Sequence, residues 1–145
     1  MSFFESISNA FIKCFDFKSR ANRAEFWYFY LFTFIINTIS LNIDRSIGYQ
    51  IINIGEINNI SIGPVYLFFS FLFLFPTYSL YVRRLHDTNR SGLWILIIFV
   101  PFIVAILGFS LLVVINLILV IFITLIFFFC LKGDTGPNNF GSPSN

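Results

Sequence analysis

Long uncharged runs separated by short charged segments dominate the pattern of this chain. No Lys, Arg, Asp or Glu occurs over residues 26–43, 64–82 or 93–131. A helix rises about 1.5 Å per residue, so about 20 residues cross the roughly 30 Å hydrocarbon core of a bilayer. Each of the first two runs therefore predicts one transmembrane helix. The third run has 39 residues and would extend about 58 Å as one helix, which favours a hairpin of two helices.

The turn of that hairpin is predicted at 108–110, where the small and polar residues nearest its middle are found. We therefore predict an all-α membrane protein with four transmembrane helices over residues 26–43, 64–82, 93–108 and 111–131. A polar C-terminal tail follows at 132–145. A three-span alternative, in which 93–131 crosses once and is partly re-entrant, stays open.

The segment before the first span has an amphipathic pattern. Its apolar residues fall on one arc of a helical wheel: Phe3, Phe4, Ile7, Ala10, Phe11, Cys14 and Phe15. Polar residues occupy the opposite arc, which predicts a helix over about 3–17 lying in the membrane interface. Packing of this helix on the ends of the spans is an equally weighted alternative.

A polar loop is predicted over 44–63, between the first two spans. Its isoleucines at 51, 54, 57 and 60 recur every three positions. This spacing hints at a short helix on the membrane surface.

Composition supports a lipid environment for the chain. Hydrophobic residues make up 57% and charged residues only 11% of the sequence, against about 25% charge in an average soluble domain. A soluble globule or a disordered tail is therefore excluded. A net charge of +2 and two cysteines also argue against a nucleic-acid binder or a disulfide-stapled domain.

The distribution of Lys and Arg predicts the orientation. In the four-span arrangement eight of them lie on one side of the membrane and only Arg45 lies on the other. The side rich in Lys and Arg is cytoplasmic, so both termini are expected in the cytoplasm. The three-span alternative still places seven against two.

Two charged blocks are predicted to meet on that cytoplasmic face, and they supply the candidate site: Arg20, Arg23, Glu25, Arg83, Arg84, His86, Asp87 and Arg90. Arg83 and Asp87 are four residues apart and could pair on one helix face, while Ser91 is placed to cap the next helix. Guanidinium groups near interfacial aromatic residues bind phosphate well. The hypothesis is a network that organises the helices and binds anionic phospholipid, a membrane-protein partner or a second copy. The plainer alternative is a topology signal with an interfacial anchor.

Catalysis, metal binding and cofactors are not expected. Adjacent residues on a helix do not face each other, so Asp87 is poorly placed to orient His86, which is the only histidine. No ionisable residue lies inside a predicted span, which disfavours a pump. Two further hypotheses are retained. One is a channel or carrier for a neutral solute, lined by the polar residues of the first span and Asn116. The weaker one is an enzyme acting on lipid headgroups with His86 as base.

Three blocks of the sequence resemble the DUF805 family of small bacterial inner-membrane proteins. They are FKSRANRAEFW at 17–27, RRLHDTNRSG at 83–92 and KGDTGPNNFG at 132–141. The chain departs from the family pattern at Ser19, where Gly is usual, and at Asn139, where Arg is common. The resemblance implies the bacterial cytoplasmic membrane, no established activity, and contact between the tail and both Arg-rich blocks.

Overall fold

The computed structural model describes residues 1–48, 52–54 and 60–143. The first half contains helices α1 (Phe3–Ile12), α2 (Arg23–Ile47) and α3 (Pro64–Asp87), with the short antiparallel strands β1 (Ile52–Ile54) and β2 (Ile60–Ile62) between α2 and α3. A 3₁₀ helix (Gly92–Phe99), α4 (Val100–Ile106) and α5 (Leu111–Cys130) complete the chain.

Three of these helices, α2, α3 and α5, are long and apolar enough to cross a membrane. The 3₁₀ helix and α4 together form a shorter apolar segment, Gly92–Ile106, with a rise of about 26 Å at 2.0 and 1.5 Å per residue. A helical membrane fold is therefore confirmed. The count of four crossings stays a prediction.

Local capping explains why α2 is longer than the predicted span 26–43. Asn22 precedes the helix, and its side-chain oxygen accepts a hydrogen bond from the backbone N–H of Glu25. At the other end Gly48 adopts a left-handed conformation with φ of 73°, which ends a helix without steric cost because glycine lacks a Cβ. Helix α3 likewise extends past 64–82 and includes the charged residues up to Asp87.

The loop between α2 and α3 contains a β-hairpin rather than the surface helix that the isoleucine spacing suggested. Ile52 pairs with Ile62, and Ile54 pairs with Ile60. The sequences Ile-Asn-Ile and Ile-Ser-Ile alternate with a period of two and place β-branched residues in the strands, which favours strand pairing over a helix. Ile51 and Ile57 of the original pattern lie outside the described residues.

Helix α1 is shorter than the predicted 3–17 and packs against α2 and α3. It ends at Ile12, and the Asp16 carboxylate then accepts the backbone N–H groups of Lys18 and Ser19 in a turn. The ring of Phe11 lies 6.0 Å from that of Phe29, edge to face. Not all of its apolar residues are covered, since Phe4 is 80% exposed. Packing on the spans is thus observed, while an interfacial position for the exposed apolar residues remains a prediction.

Asp44 links α2 to α3. It lies at the end of the helix pair that contains β1, β2 and the last turn of α2, which we call the hairpin end. Its carboxylate accepts the backbone N–H groups of Val65 at 3.1 Å and Tyr66 at 2.8 Å. These are orphan donors of the first turn of α3, where the helix dipole also favours an anion. A Cβ on Gly63 would overlap this carboxylate, so glycine permits the close approach.

At the opposite end, which we call the network end, both terminal segments meet the last turn of α3. Residue Arg20 contacts Asp87 there, and Arg84 contacts carbonyl groups at the end of α5. Helices α4 and α5 form a hairpin whose turn contains Gly108, with φ of 80°. This turn lies within the predicted 108–110.

Candidate functional site

The centre of the network end is a buried cluster in which one carboxylate binds two guanidinium groups. Asp87 Oδ1 accepts hydrogen bonds from Arg20 Nε at 3.1 Å and Nη2 at 3.0 Å. Its other oxygen, Oδ2, accepts from Arg84 Nη1 at 2.5 Å. Arg20 is 2% exposed and Arg84 0%. Charge-assisted bonds to both oxygens fix Asp87 in place.

Backbone carbonyls satisfy the remaining donors of these two arginines. Arg20 donates to the carbonyl oxygens of Asp134 at 2.5 Å, Gly136 at 2.8 Å and Gly141 at 3.2 Å, all in the C-terminal tail. Arg84 donates to the carbonyls of Ala21, Phe129 and Leu131. The two guanidinium groups therefore connect the N-terminal segment, α3, the end of α5 and the tail.

A second buried pair lies beside this cluster. Arg83 Nη1 donates to Glu25 Oε1 at 2.7 Å, with both side chains almost fully buried. The predicted pair of Arg83 with Asp87 is not formed, because Asp87 binds Arg20 and Arg84. The Nε and Nη2 atoms of Arg83 are buried and have no hydrogen-bond partner among the described residues.

The network also caps the carboxyl end of α3. The final carbonyl groups of a helix lack partners within it. Here the carbonyl of Asp87, the last residue of α3, accepts from the N–H of Asp134 at 2.9 Å, and the Arg83 carbonyl, one turn earlier, also accepts from the N–H of Ala21 at 3.0 Å. Cations near this end also complement the helix dipole. The last turn of α3 is thus held by both terminal segments.

His86 contacts the tail and has no carboxylate partner among the described residues. Its ring stacks on that of Phe140, with centroids 3.9 Å apart and planes 7° from parallel. Its Nδ1 lies 3.3 Å from the carbonyl of Lys18, an acceptor, so Nδ1 carries the donated proton. Asn138 Nδ2 donates to the His86 carbonyl at 2.9 Å. The imidazole therefore packs the tail onto α3, and the acid–base role for His86 has no geometric support.

Besides His86, two of the predicted site residues lie outside the ion pairs. Arg23, the first residue of α2, is exposed and forms no ion pair within the described part of the chain. Arg90 is half-buried, donates to the Thr88 carbonyl at 3.1 Å, and places its guanidinium 4.5 Å from the ring centroid of Phe128. Ser91 caps the 3₁₀ helix through a hydrogen bond from Leu93 N–H, as predicted.

A crevice of about 610 Å³ adjoins the network end between α2 and the α4–α5 hairpin. Its walls are apolar and aromatic, and they include Phe26, Trp27, Tyr30, Pro101, Ile118 and Phe129. A second groove of about 500 Å³ lies between α2 and α3 and is lined in part by Thr33, Asn37, Ser70 and Thr77. Within the described residues no group of three or more His, Cys, Asp or Glu side chains could hold a metal ion.

Comparison with known proteins identifies the family. The family model described as "Protein of unknown function (DUF805)" matches residues 14–142. The chain belongs to the DUF805 family. It is 34% identical over 126 residues to the inner membrane protein YhaI of Escherichia coli K12, covering 87% of this chain and 83% of that one. It is 31% identical over 125 residues to the inner membrane protein YhaH of the same strain, covering 86% and 84%. No solved structure matches it.

Family membership and the apolar helices together establish a multi-pass protein of the bacterial inner membrane. The three sequence blocks that resemble the DUF805 family are the segments that meet at the network end. The tail supplies carbonyl groups and one aromatic ring there.

Sequence reasoning missed the groups that complete the network. They are the carbonyls of Ala21, Phe129 and Leu131, the side chains of Asn138 and Phe140, and Gly133, on which a Cβ would overlap the Asp87 carboxylate. Backbone acceptors have no sequence signature.

Proposed function

We propose that this DUF805 protein is a binding module of the inner membrane that presents a rigid, basic cytoplasmic face to anionic phospholipid. In this proposal the chain crosses the membrane four times and has both termini in the cytoplasm. The excess of Lys and Arg at the network end supports that orientation. The antiparallel α4–α5 hairpin, which returns to the network end through Phe129 and Leu131, supports the four crossings.

The observation that carries the proposal is the separation between buried and exposed charges. Among the described residues of the network end, three guanidinium groups (Arg20, Arg83 and Arg84) are buried with two carboxylates (Glu25 and Asp87). The donors of Arg20 and Arg84 are committed to Asp87 and to carbonyls, and Arg83 pairs with Glu25 through Nη1, so these buried arginines organise the face. One net positive charge remains inside it, which favours an anion nearby.

The ligand-binding part of the proposal rests on exposed cations at the same end. Lys18, Arg23 and Lys132 are exposed. Each lies in the sequence next to a segment that the network holds in place. Near an anionic membrane surface each Lys or Arg contributes about 1 kcal/mol of attraction. A rigid base keeps the three charges together. The same face would suit an acidic membrane-protein partner or a second copy, and the experiment below distinguishes these from lipid.

Native mass spectrometry of the purified protein tests this function. Phosphatidylglycerol and phosphatidylcholine are titrated against wild type and the triple variant Lys18→Gln, Arg23→Gln, Lys132→Gln. We expect the triple variant to bind phosphatidylglycerol at least about tenfold more weakly, since three cations are lost, with phosphatidylcholine binding unchanged. Arg45→Gln, the exposed cation of the hairpin end, is the control and should match wild type. Equal phosphatidylglycerol affinity in the triple variant and wild type would refute the proposal, and co-purified protein in place of lipid would favour a protein partner.

A second candidate function, passage of a neutral solute, is favoured by the groove between α2 and α3. Asn37 Oδ1 and Ser70 Oγ are buried there without a hydrogen-bond partner among the described residues. Asn116 is on α5, is exposed, and donates to its own helix at the Leu112 carbonyl, and it is not among the lining residues of the groove. The polar lining gives way to the apolar crevice toward the network end, which argues against a continuous polar path.

A flux assay in proteoliposomes tests this candidate. Uptake of small neutral polyols would have to exceed that of protein-free liposomes and fall in Asn37→Leu. Uptake equal to that of protein-free liposomes would exclude it.

A further inference from the structure

The apolar crevice between α2 and the α4–α5 hairpin, which we call the slot, is open along part of its length. Along α5 its lining runs from Val114 to Phe129, 15 positions or about 22 Å, which exceeds one leaflet's share of the roughly 30 Å hydrocarbon core. Its opposite wall is formed by one face of α2 and by Tyr81 of α3. Phe122 on the rim is 58% exposed. This length is enough for an extended acyl chain of one leaflet.

Arg23 lies on the same face of α2 as the residues that line the slot, at the network end. Arg23, Phe26, Trp27 and Tyr30 follow the spacing i, i+3, i+4 and i+7, which places them on one face of α2. The last three line the crevice. Arg23 therefore marks the end of the slot that meets the headgroup region.

Arg23 is free to bind an anion there. It is exposed and takes part in none of the ion pairs among the described residues. Arg84, by contrast, is fully buried and is held by Asp87 and three carbonyls, so its guanidinium is committed within the protein.

We infer that this slot holds one anionic phospholipid, with an acyl chain in the crevice and the phosphate on Arg23. The inference rests on the proposed function and deepens it, because it assigns a single chain-binding site in addition to a basic face. Lipid tails are already in an apolar medium, so the crevice adds little hydrophobic driving force. Headgroup selectivity therefore comes from Arg23, and the crevice fixes where the lipid lies.

Tryptophan quenching by brominated acyl chains reads the site directly. The chain has two tryptophans: Trp27 lines the crevice, and Trp94 packs on Phe128 outside its lining. Trp94→Phe leaves Trp27 as the reporter in nanodiscs of mixed phosphatidylglycerol and phosphatidylcholine. Either lipid carries the bromines, at the same low mole fraction. We expect brominated phosphatidylglycerol to quench Trp27 at least about twofold more than brominated phosphatidylcholine, since the charged headgroup is retained.

Two variants test the two halves of the site. Arg23→Gln should abolish the preference for phosphatidylglycerol, whereas Arg45→Gln should keep it. Ala105→Phe, which fills the crevice from α4 without changing a charge, should lower quenching by both lipids. Equal quenching by the two lipids in the Trp94→Phe protein overturns the inference, as does a preference that survives Arg23→Gln.

The outcomes separate this inference from the proposed function. If the basic face binds lipid only collectively, native mass spectrometry will still show charge-dependent phosphatidylglycerol binding while Trp27 quenching shows no preference. If the basic face binds no lipid, neither experiment will respond to headgroup charge.

Discussion

The network end and the α4–α5 hairpin are built on opposite principles. At the network end, polar groups are buried and joined to named partners, as in the pairs of Asp87 with Arg20 and Arg84. In the hairpin, only Pro101 of α4 and three residues of α5 are buried, and side chains such as Leu119 are largely exposed to the surroundings. The arrangement of the network end is fixed by directed hydrogen bonds and ion pairs. The hairpin is held by apolar contacts that specify no particular partner.

This difference shows what fixes the arrangement of a small membrane protein. Lipid is as apolar as leucine, so apolar helix faces gain little by choosing one neighbour over another. A buried guanidinium, in contrast, loses several kcal/mol if its acceptors are absent. The network therefore determines where the chain termini and the end of α5 lie, and the hairpin follows.

The largest loss of stability is expected from Arg84→Ala, at the network end. It leaves one oxygen of the buried Asp87 carboxylate without its cation and frees three carbonyls. Loss of one member of a buried ion pair costs about 3–5 kcal/mol. The free energy of unfolding in mixed detergent micelles measures this. Leu119→Ala, on the exposed face of α5, should change it by less than about 0.5 kcal/mol, and equal effects of the two variants would contradict the comparison.

A smaller and more local loss of stability, confined to the tail, is expected from Gly133→Ala. The added Cβ would overlap the Asp87 carboxylate, so the tail must shift, at a cost of about 1–3 kcal/mol. Gly136→Ala is a matched control, since nothing lies within 4 Å of its Cβ position. Limited proteolysis of the tail should accelerate in the first variant only. Equal proteolysis in both would show that the tail is not held at Gly133.

The smallest effect concerns the turn that leads into the network. Burial alone would raise the pKa of Asp16, but hydrogen bonds from the Ser19 hydroxyl and from the Ser19 and Lys18 backbone lower that pKa to about 2. A pKa below the usual 3.8 stabilises the folded state above pH 4, and this contribution is lost as the pH falls toward 2. Thermal unfolding between pH 5 and pH 2.5 should therefore show a steeper loss in wild type than in Asp16→Asn. Parallel curves would contradict this.

The sequence predicted much of the fold because its apolar runs are long. Uncharged stretches at 26–43 and 64–82 lie within α2 and α3, and the 108–110 turn was predicted from glycine and serine chemistry. Helix ends were missed where charged residues continue the helix, as from Arg83 to Asp87, since the absence of charge marks lipid depth and not helix length. The β-hairpin was missed because a spacing of three was given more weight than alternation.

The residues of the candidate site were predicted from the sequence, but the ion pairs among them were not. All eight predicted residues lie at the network end, but i, i+4 spacing favoured Arg83 with Asp87, and tertiary contacts gave Asp87 to Arg20 and Arg84 instead. Sequence spacing describes contacts within one helix, whereas Arg20 reaches Asp87 from 67 positions away. The network is completed by backbone carbonyls. Every residue type has one, so the sequence cannot show which of them act as acceptors.

The central claim, that the buried network holds the C-terminal tail on the helices, is tested most directly by hydrogen exchange of the tail amides in Arg20→Gln and Arg23→Gln. Arg20 donates to three tail carbonyls, whereas Arg23 forms no ion pair in the described structure. We predict that the amide of Asp134, which bonds the Asp87 carbonyl, loses its protection in Arg20→Gln and keeps it in Arg23→Gln. Equal protection in both variants would contradict the account.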